Sequence, residues 1–150
     1  MSVHELSRKE CVELLQRNHL GHLACSSDDQ PYIVPMYFAC DDALYGVSTI
    51  GRKIDWLRQN PRVCVEVDDV GGPERWASVV VIGRFEELSD ADGRASRSHA
   101  YDLLKRQVAW WVPAFSRTEP NHETRPLEPI YFRISLDSIS GRSATREGGT

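Results

Sequence analysis

The sequence predicts a mainly β fold with flanking helices: a six-stranded antiparallel β-barrel in a single domain, 1–150. Three observations carry this. Six short stretches are rich in branched and aromatic residues or alternate apolar with polar positions. The connections among the first three are too short for the crossovers of a parallel sheet. Only three stretches pair helical spacing with a start or stop signal.

In chain order, Ser7 with Glu10 three residues later forms a capping box, and Leu6 is placed to staple onto Cys11. The helix that follows runs to about Arg17, with Cys11, Leu14 and Leu15 on one stripe. Three strands come next, Leu20 to Cys25, Tyr32 to Ala39 and Ala43 to Thr49, separated by Ser26 to Gln30 and by Asp41-Asp42. Gly51 to Asn60 returns to helical spacing through Ile54 and Leu57, and Asn60-Pro61 closes it. Val63, Val65 and Val67 alternate within a strand from Arg62 to Asp68, and the Gly71-Gly72-Pro73 turn leads into a long strand, Trp76 to Glu87. Ser89 with Asp90 and Asp92 opens a third helix, to about Val108. Three of the eight prolines and the Trp110-Trp111 pair fall in Ala109 to Glu128, which reads as an irregular excursion. The last strand, Pro129 to Leu136, alternates Ile130, Phe132, Ile134 and Leu136, and the tail after Gly141 is expected to fray.

Composition narrows the function. A formal charge of −4 argues against a protein built to grip nucleic acid, and no apolar run approaches a membrane span. The first ten residues have no apolar signal region, so a cytoplasmic protein is expected. Cys11, Cys25, Cys40 and Cys64 contain no CxxC pair and read as buried, reduced thiols. His4, His19, His22, His99 and His122 show no ligand spacing, so no metal is expected. His22 is a candidate for proton transfer or a structural histidine. No GxSxG, P-loop or GxGxxG motif occurs.

The most informative stretch is Tyr45 to Lys53, a strand running into a helix start. Ser48 and Thr49 place hydroxyls near that start, and Arg52 and Lys53 place two cations in its first turn, where they oppose the macrodipole. A bound phosphate would remove the conflict, while a solvated basic pair is the alternative. Pro35 sits in a stretch apolar on both faces, Tyr32 to Phe38, and requires a bulge or a free edge, against which a flat ligand or a neighbouring helix can pack. Trp76 and Ser78 share a face of the long strand, and Trp110 with Trp111 forms a second aromatic group, suited to cofactor stacking or to core or dimer packing.

The series Gly21-His22-Leu23-Ala24, Gln30 to Met36, Leu44 to Thr49, Gly51-Arg52-Lys53, Asn60-Pro61-Arg62-Val63-Cys64 and Ser78 to Arg84 resembles the pyridoxamine 5′-phosphate oxidase-like flavoproteins, in the branch that holds nitroimidazole-resistance proteins. The resemblance implies a split β-barrel that forms a homodimer, with FMN in clefts between subunits. By position, Arg52 and Lys53 would hold the FMN phosphate with Ser48 or Thr49 nearby, Val34, Pro35, Met36 and Val47 would line the isoalloxazine, and Ser78 would reach the cofactor. Pro31 and Met36 stand where pyridoxine phosphate oxidases carry basic residues, so pyridoxamine phosphate is not the implied substrate. The implied activity is an FMN-dependent oxidoreductase passing electrons from NADH or NADPH to a small-molecule quinone, nitro or other aromatic acceptor. The alternatives are a non-catalytic flavin store or sensor, or a relative that binds haem or a deazaflavin.

Overall fold

Alternation sets the barrel wall: Val63, Val65 and Val67 all point inward, with Val65 and Val67 fully buried, while Arg62 and Asp68 face outward. A computed structural model of the chain describes residues 2–89, 96–106, 116–118, 124–126 and 128–146. Its elements are β1 (Ser2–Glu5), α1 (Arg8–Arg17), β2 (Leu20–Ser27), β3 (Gln30–Cys40), β4 (Leu44–Ser48), α2 (Arg52–Gln59), β5 (Arg62–Val70), β6 (Arg75–Glu87), α3 (Ser96–Lys105), β7 (Ser116–Thr118), β8 (Thr124–Pro126), β9 (Ile130–Ile134) and β10 (Ser138–Thr145).

The six expected strands are the six of a closed antiparallel ring, β2-β3-β4-β9-β6-β5 and back to β2. Closure depends on one long strand sharing an edge between two partners. Residues Arg75 to Ile82 of β6 pair with β10, and Phe85 to Glu87 pair with β9. Gly83 and Arg84 lie at the fork, where the Ser135 N–H donates to the Arg84 carbonyl and the Arg84 N–H to Ser135 Oγ, at 3.1 and 2.9 Å. A side chain at Gly83 would overlap the Ser135 carbonyl, so the two branches approach this closely only over glycine.

The helices cover what the strands leave open. On α1, Ser7 and Glu10 exchange both capping-box bonds, and Cys11, Leu14 and Leu15 enter the core with Leu23, Phe38, Phe132 and Ile134. Buried Ala100 and Leu104 of α3 pack on Ala39, Ala43, Tyr45, Leu88 and Tyr131. Asp28 and Asp29, both at positive φ, make the two-residue β2–β3 turn that suits the twist of a hairpin.

Several expectations need correction. The tail is not frayed through Thr145, because β10 pairs with β6 on one side and β1 on the other. Strand β1 was not expected: its residues are mostly exposed and show no alternation. The described part of the third helix runs from Ser96 to Lys105, while residues 90–95 and 107–115, with Trp110 and Trp111, lie outside the described residues. The excursion contains a short ladder, β7 with β8. Leu136 follows the last barrel strand, which ends at Ile134. All four thiols are free, but only Cys11 and Cys25 are buried, Cys40 and Cys64 being half-buried. Burial and the neighbouring Asp41 and Asp42 carboxylates push Cys40 up to about 11, so this thiol stays protonated and unreactive. Among the described residues no helix is long and apolar enough to cross a membrane.

Candidate functional site

Strands β3 and β4 pair only from Phe38–Cys40 to Leu44–Gly46. Beyond that they diverge, and β4 continues to Ser48 while β3 keeps β2 as its only ladder partner among the described residues from Gln30 to Tyr37. The Phe38 N–H donates to the His19 carbonyl at 2.9 Å. This fixes the phase of the ladder: the even-numbered residues of β3 turn their backbone groups to β2, and Ile33 and Pro35 turn theirs to the open edge. Pro35 therefore stands where its missing N–H costs no ladder bond, as its position in the sequence requires.

The start of α2 lies beside Tyr32 of β3. Its N-cap is Gly51, with no side-chain cap bond, and Ser48 Oγ donates to the Thr49 carbonyl at 3.3 Å. The first-turn amides remain open to a ligand. The Arg52 guanidinium lies 5.5 Å from the centre of the Tyr32 ring, which Trp56 meets edge-on at 5.4 Å. Lys53 is half-buried, and burial pushes its ammonium pKa down, opposed by the nearby Cys25 thiol. Neither cation forms an ion pair among the described residues. Asp55, in the same turn, is exposed. Arg58, at the other end of α2, is bound by both oxygens of Glu87 at 2.8 and 3.0 Å, which ties the helix to β6.

Val47, Ser48, Thr49, Arg52 and Lys53 lie along the junction of β4 with α2, and the contact of Arg52 with the Tyr32 ring brings that junction to β3. Val47, Ser48 and Thr49 are half-buried, and so is Val34, while Pro35 is exposed. Met36 requires a correction, because its side chain is 2% exposed within the core and its backbone groups, like those of the other even-numbered residues, turn to β2 rather than to the open edge. Ser78 stands apart. It lies on the outer face of β6, three strands across from β3 in the order β3-β2-β5-β6, or about 14 Å at the usual strand spacing. There it lines a cavity of about 640 Å³ with Trp76, Ser140 and Arg142. Arg142 was not singled out in the sequence, since it falls in the stretch expected to fray.

A second group on the same outer face was invisible to linear spacing. His22 and Glu66 are directly opposed on β2 and β5, and the ligand-type atoms of His22, Glu66 and Asp68 all lie within 4.8 Å of one another. Burial, then the Asp68 carboxylate, raise Glu66 from its usual 4.5 to about 7, with the Ser78 hydroxyl opposing. The folded state therefore holds this proton more tightly than the unfolded chain. Its stabilisation is complete below about pH 4.5 and is lost as pH rises through about 7. Thermal melting is expected to fall between pH 5 and pH 8 by an amount that Glu66→Gln removes; an equal slope in the two proteins would refute the assignment.

The family model described as pyridoxamine 5′-phosphate oxidase matches residues 7–143. The chain belongs to this family. The match spans every strand of the ring. Among relatives of this oxidase-family chain is an uncharacterized protein of Rhizobium meliloti, 38% identical over 96% of this chain and 97% of its own length. A FAD-binding protein of Mesorhizobium loti shares 42% identity and superposes with a TM-score of 0.78, covering 97% of this chain and 100% of its own. A FAD-binding protein of Mycobacterium smegmatis, 23% identical, matches at a TM-score of 0.67 over 95% of this chain and 98% of its own, and shares the fold.

Proposed function

We propose that the chain is an FMN-binding oxidoreductase of the cytoplasm, acting as a homodimer with the flavin held between subunits. One observation carries the reading: two cations and uncapped amides converge at the start of α2, and half-buried Lys53 lacks an acidic partner among the described residues. A phosphate there would complement the dipole, both charges and the amides together. The open β3 edge presents backbone groups of Ile33 and Pro35 to a flat ring, and half-buried Val34 and Val47 supply apolar contact. The Trp76–Ser78–Arg142 cavity lies too far away to serve the same ligand within one chain, and a second subunit would bring it there.

When bound, flavin supplies the hydride and electron chemistry, and the protein's residues bind and orient it. The implied flow runs from NADH or NADPH to a quinone or nitro acceptor. FAD is the second reading, favoured by the FAD-binding description of the 42% identical Mesorhizobium loti protein, and its 5′-phosphate would take the same place.

The test is the absorption spectrum of the purified protein followed by titration with FMN, FAD and riboflavin. FMN is expected to bind more tightly than riboflavin, because riboflavin lacks the phosphate that the cations hold. Equal affinity would sink the phosphate site, and a Soret band would replace flavin by haem. Turnover of NADH or NADPH with an acceptor then separates an oxidoreductase from a flavin store or sensor.

A further inference from the structure

The outer face of the sheet carries a second concavity, at the end of β6 opposite to Ser78. It is a groove of about 590 Å³ over β2, β5 and β6, bounded on one side by Asp137 in the link between β9 and β10. Its floor is one lateral row, Ala24 of β2, Cys64 of β5 and Ile82 of β6, which face one another in register. Ile82 is 55% exposed there. At the end of this apolar row, Arg62 and Arg84 are direct partners across the β5–β6 ladder. Cβ atoms so opposed lie about 5 Å apart, and like charges in that relation repel.

Nothing in the described residues relieves this repulsion: neither arginine forms an ion pair there, Asp137 included. The chain as a whole is acidic, at −4, so the pair is not the overflow of a basic surface. Ser26 adds a hydroxyl at the same end. Its oxygen accepts from Asn60 Nδ2 at 3.2 Å, and its proton is left to donate. Two guanidiniums and a hydroxyl donor beside an exposed apolar floor match a ligand with an anionic head and an apolar body.

We propose that this groove is a binding site for a small organic carboxylate, separate from the site at α2. The carboxylate takes the forked donors of Arg62 and Arg84, and the apolar body lies along Ala24, Cys64 and Ile82. Ser78 and Arg84 are six residues apart on one strand, about 20 Å, so the arginine end of the groove points away from the Trp76–Arg142 cavity, whose lining reaches to Val80, two residues from Ile82.

The probe is 2-naphthoate, followed by its fluorescence with the intact protein and compared with neutral 2-naphthalenemethanol. One saturable site is expected, the alcohol binding at least about tenfold more weakly, and Arg62→Gln and Arg84→Gln each costing about tenfold, the scale of one hydrogen bond to a charged group. Arg8→Gln, on α1, is expected to leave binding unchanged. Thermal melting of the Arg62→Gln and Arg84→Gln proteins should not fall, because each relieves the cross-strand repulsion, so lost binding cannot be assigned to unfolding. Equal binding of acid and alcohol, or unchanged binding in both groove variants, would overturn the site. So would displacement of the probe by FMN or FAD, which makes the groove part of the flavin site, or weaker probe binding as protein concentration rises, which shows a second copy in the groove. Loss of flavin in Arg52→Ala with naphthoate binding intact is the expected mark of two independent sites.

Discussion

Gly83→Ala is expected to destabilise the fold by about 3 kcal/mol or more, near the upper end for overpacking, because the added methyl meets backbone rather than a flexible side chain. The Ser135 carbonyl that it meets cannot withdraw without opening the fork. Moving Ser135 breaks its bond with the Arg84 carbonyl and the one between Arg84 N–H and its own hydroxyl, and pulls on both β9 and β10. Set against a total stability of about 5–15 kcal/mol, the loss is large enough to read in urea unfolding or in soluble yield. Ser135→Ala, which removes only the hydroxyl acceptor, serves as the mild counterpart, at about 1 kcal/mol. A Gly83→Ala protein as stable as the Ser135→Ala protein would mean that the two branches separate freely at the fork.

The second large effect concerns ligand rather than fold. Arg52→Ala and Lys53→Ala are each expected to weaken FMN binding by about 1.5–3 kcal/mol, and the double variant by a factor of about a hundred to ten thousand if the two act independently. Apoprotein stability should change little with Arg52→Ala, since that side chain is exposed, and should not fall with removal of the Lys53 charge, which burial already disfavours. Arg8→Ala, a cation in the first turn of α1, where the capping box already occupies the start of the helix, is the control. If isothermal titration gave one dissociation constant for all these proteins, Arg52 and Lys53 would be a solvated pair and the phosphate would lie elsewhere.

The ring of strands was legible because each carries its own periodicity. Val63, Val65 and Val67 in β5 and Ile130, Phe132 and Ile134 in β9 face inward by alternation alone. The Ser7–Glu10 box located α1, and Arg52 and Lys53 were conspicuous for opposing the dipole of α2. Strands β1 and β10 were not legible, because they lie outside the ring and their residues, such as His4, Ser140 and Arg142, are held by ladder bonds that leave no mark on hydropathy. Position 36 misled for the opposite reason: an apolar residue in a stretch apolar on both faces does not reveal which face is the core, and Met36 went inside. The juxtapositions of His22 with Glu66 and of Arg62 with Arg84 depend on register between strands more than twenty positions apart in sequence, which no local window contains.

The order of strands in the ring also sets when it can close during synthesis. Among the described residues β9 is the only partner that joins β4 to β6, and it lies behind every other barrel strand in the chain. Until residues 130–134 have left the ribosome, β4 and β6 each present an unpaired edge, and β6 waits further for β10. β1, the first strand made, has no partner until β10, the last, appears. A nascent chain halted before this point carries several open edges at once, the kind of surface on which chains pair with one another and on which chaperones act.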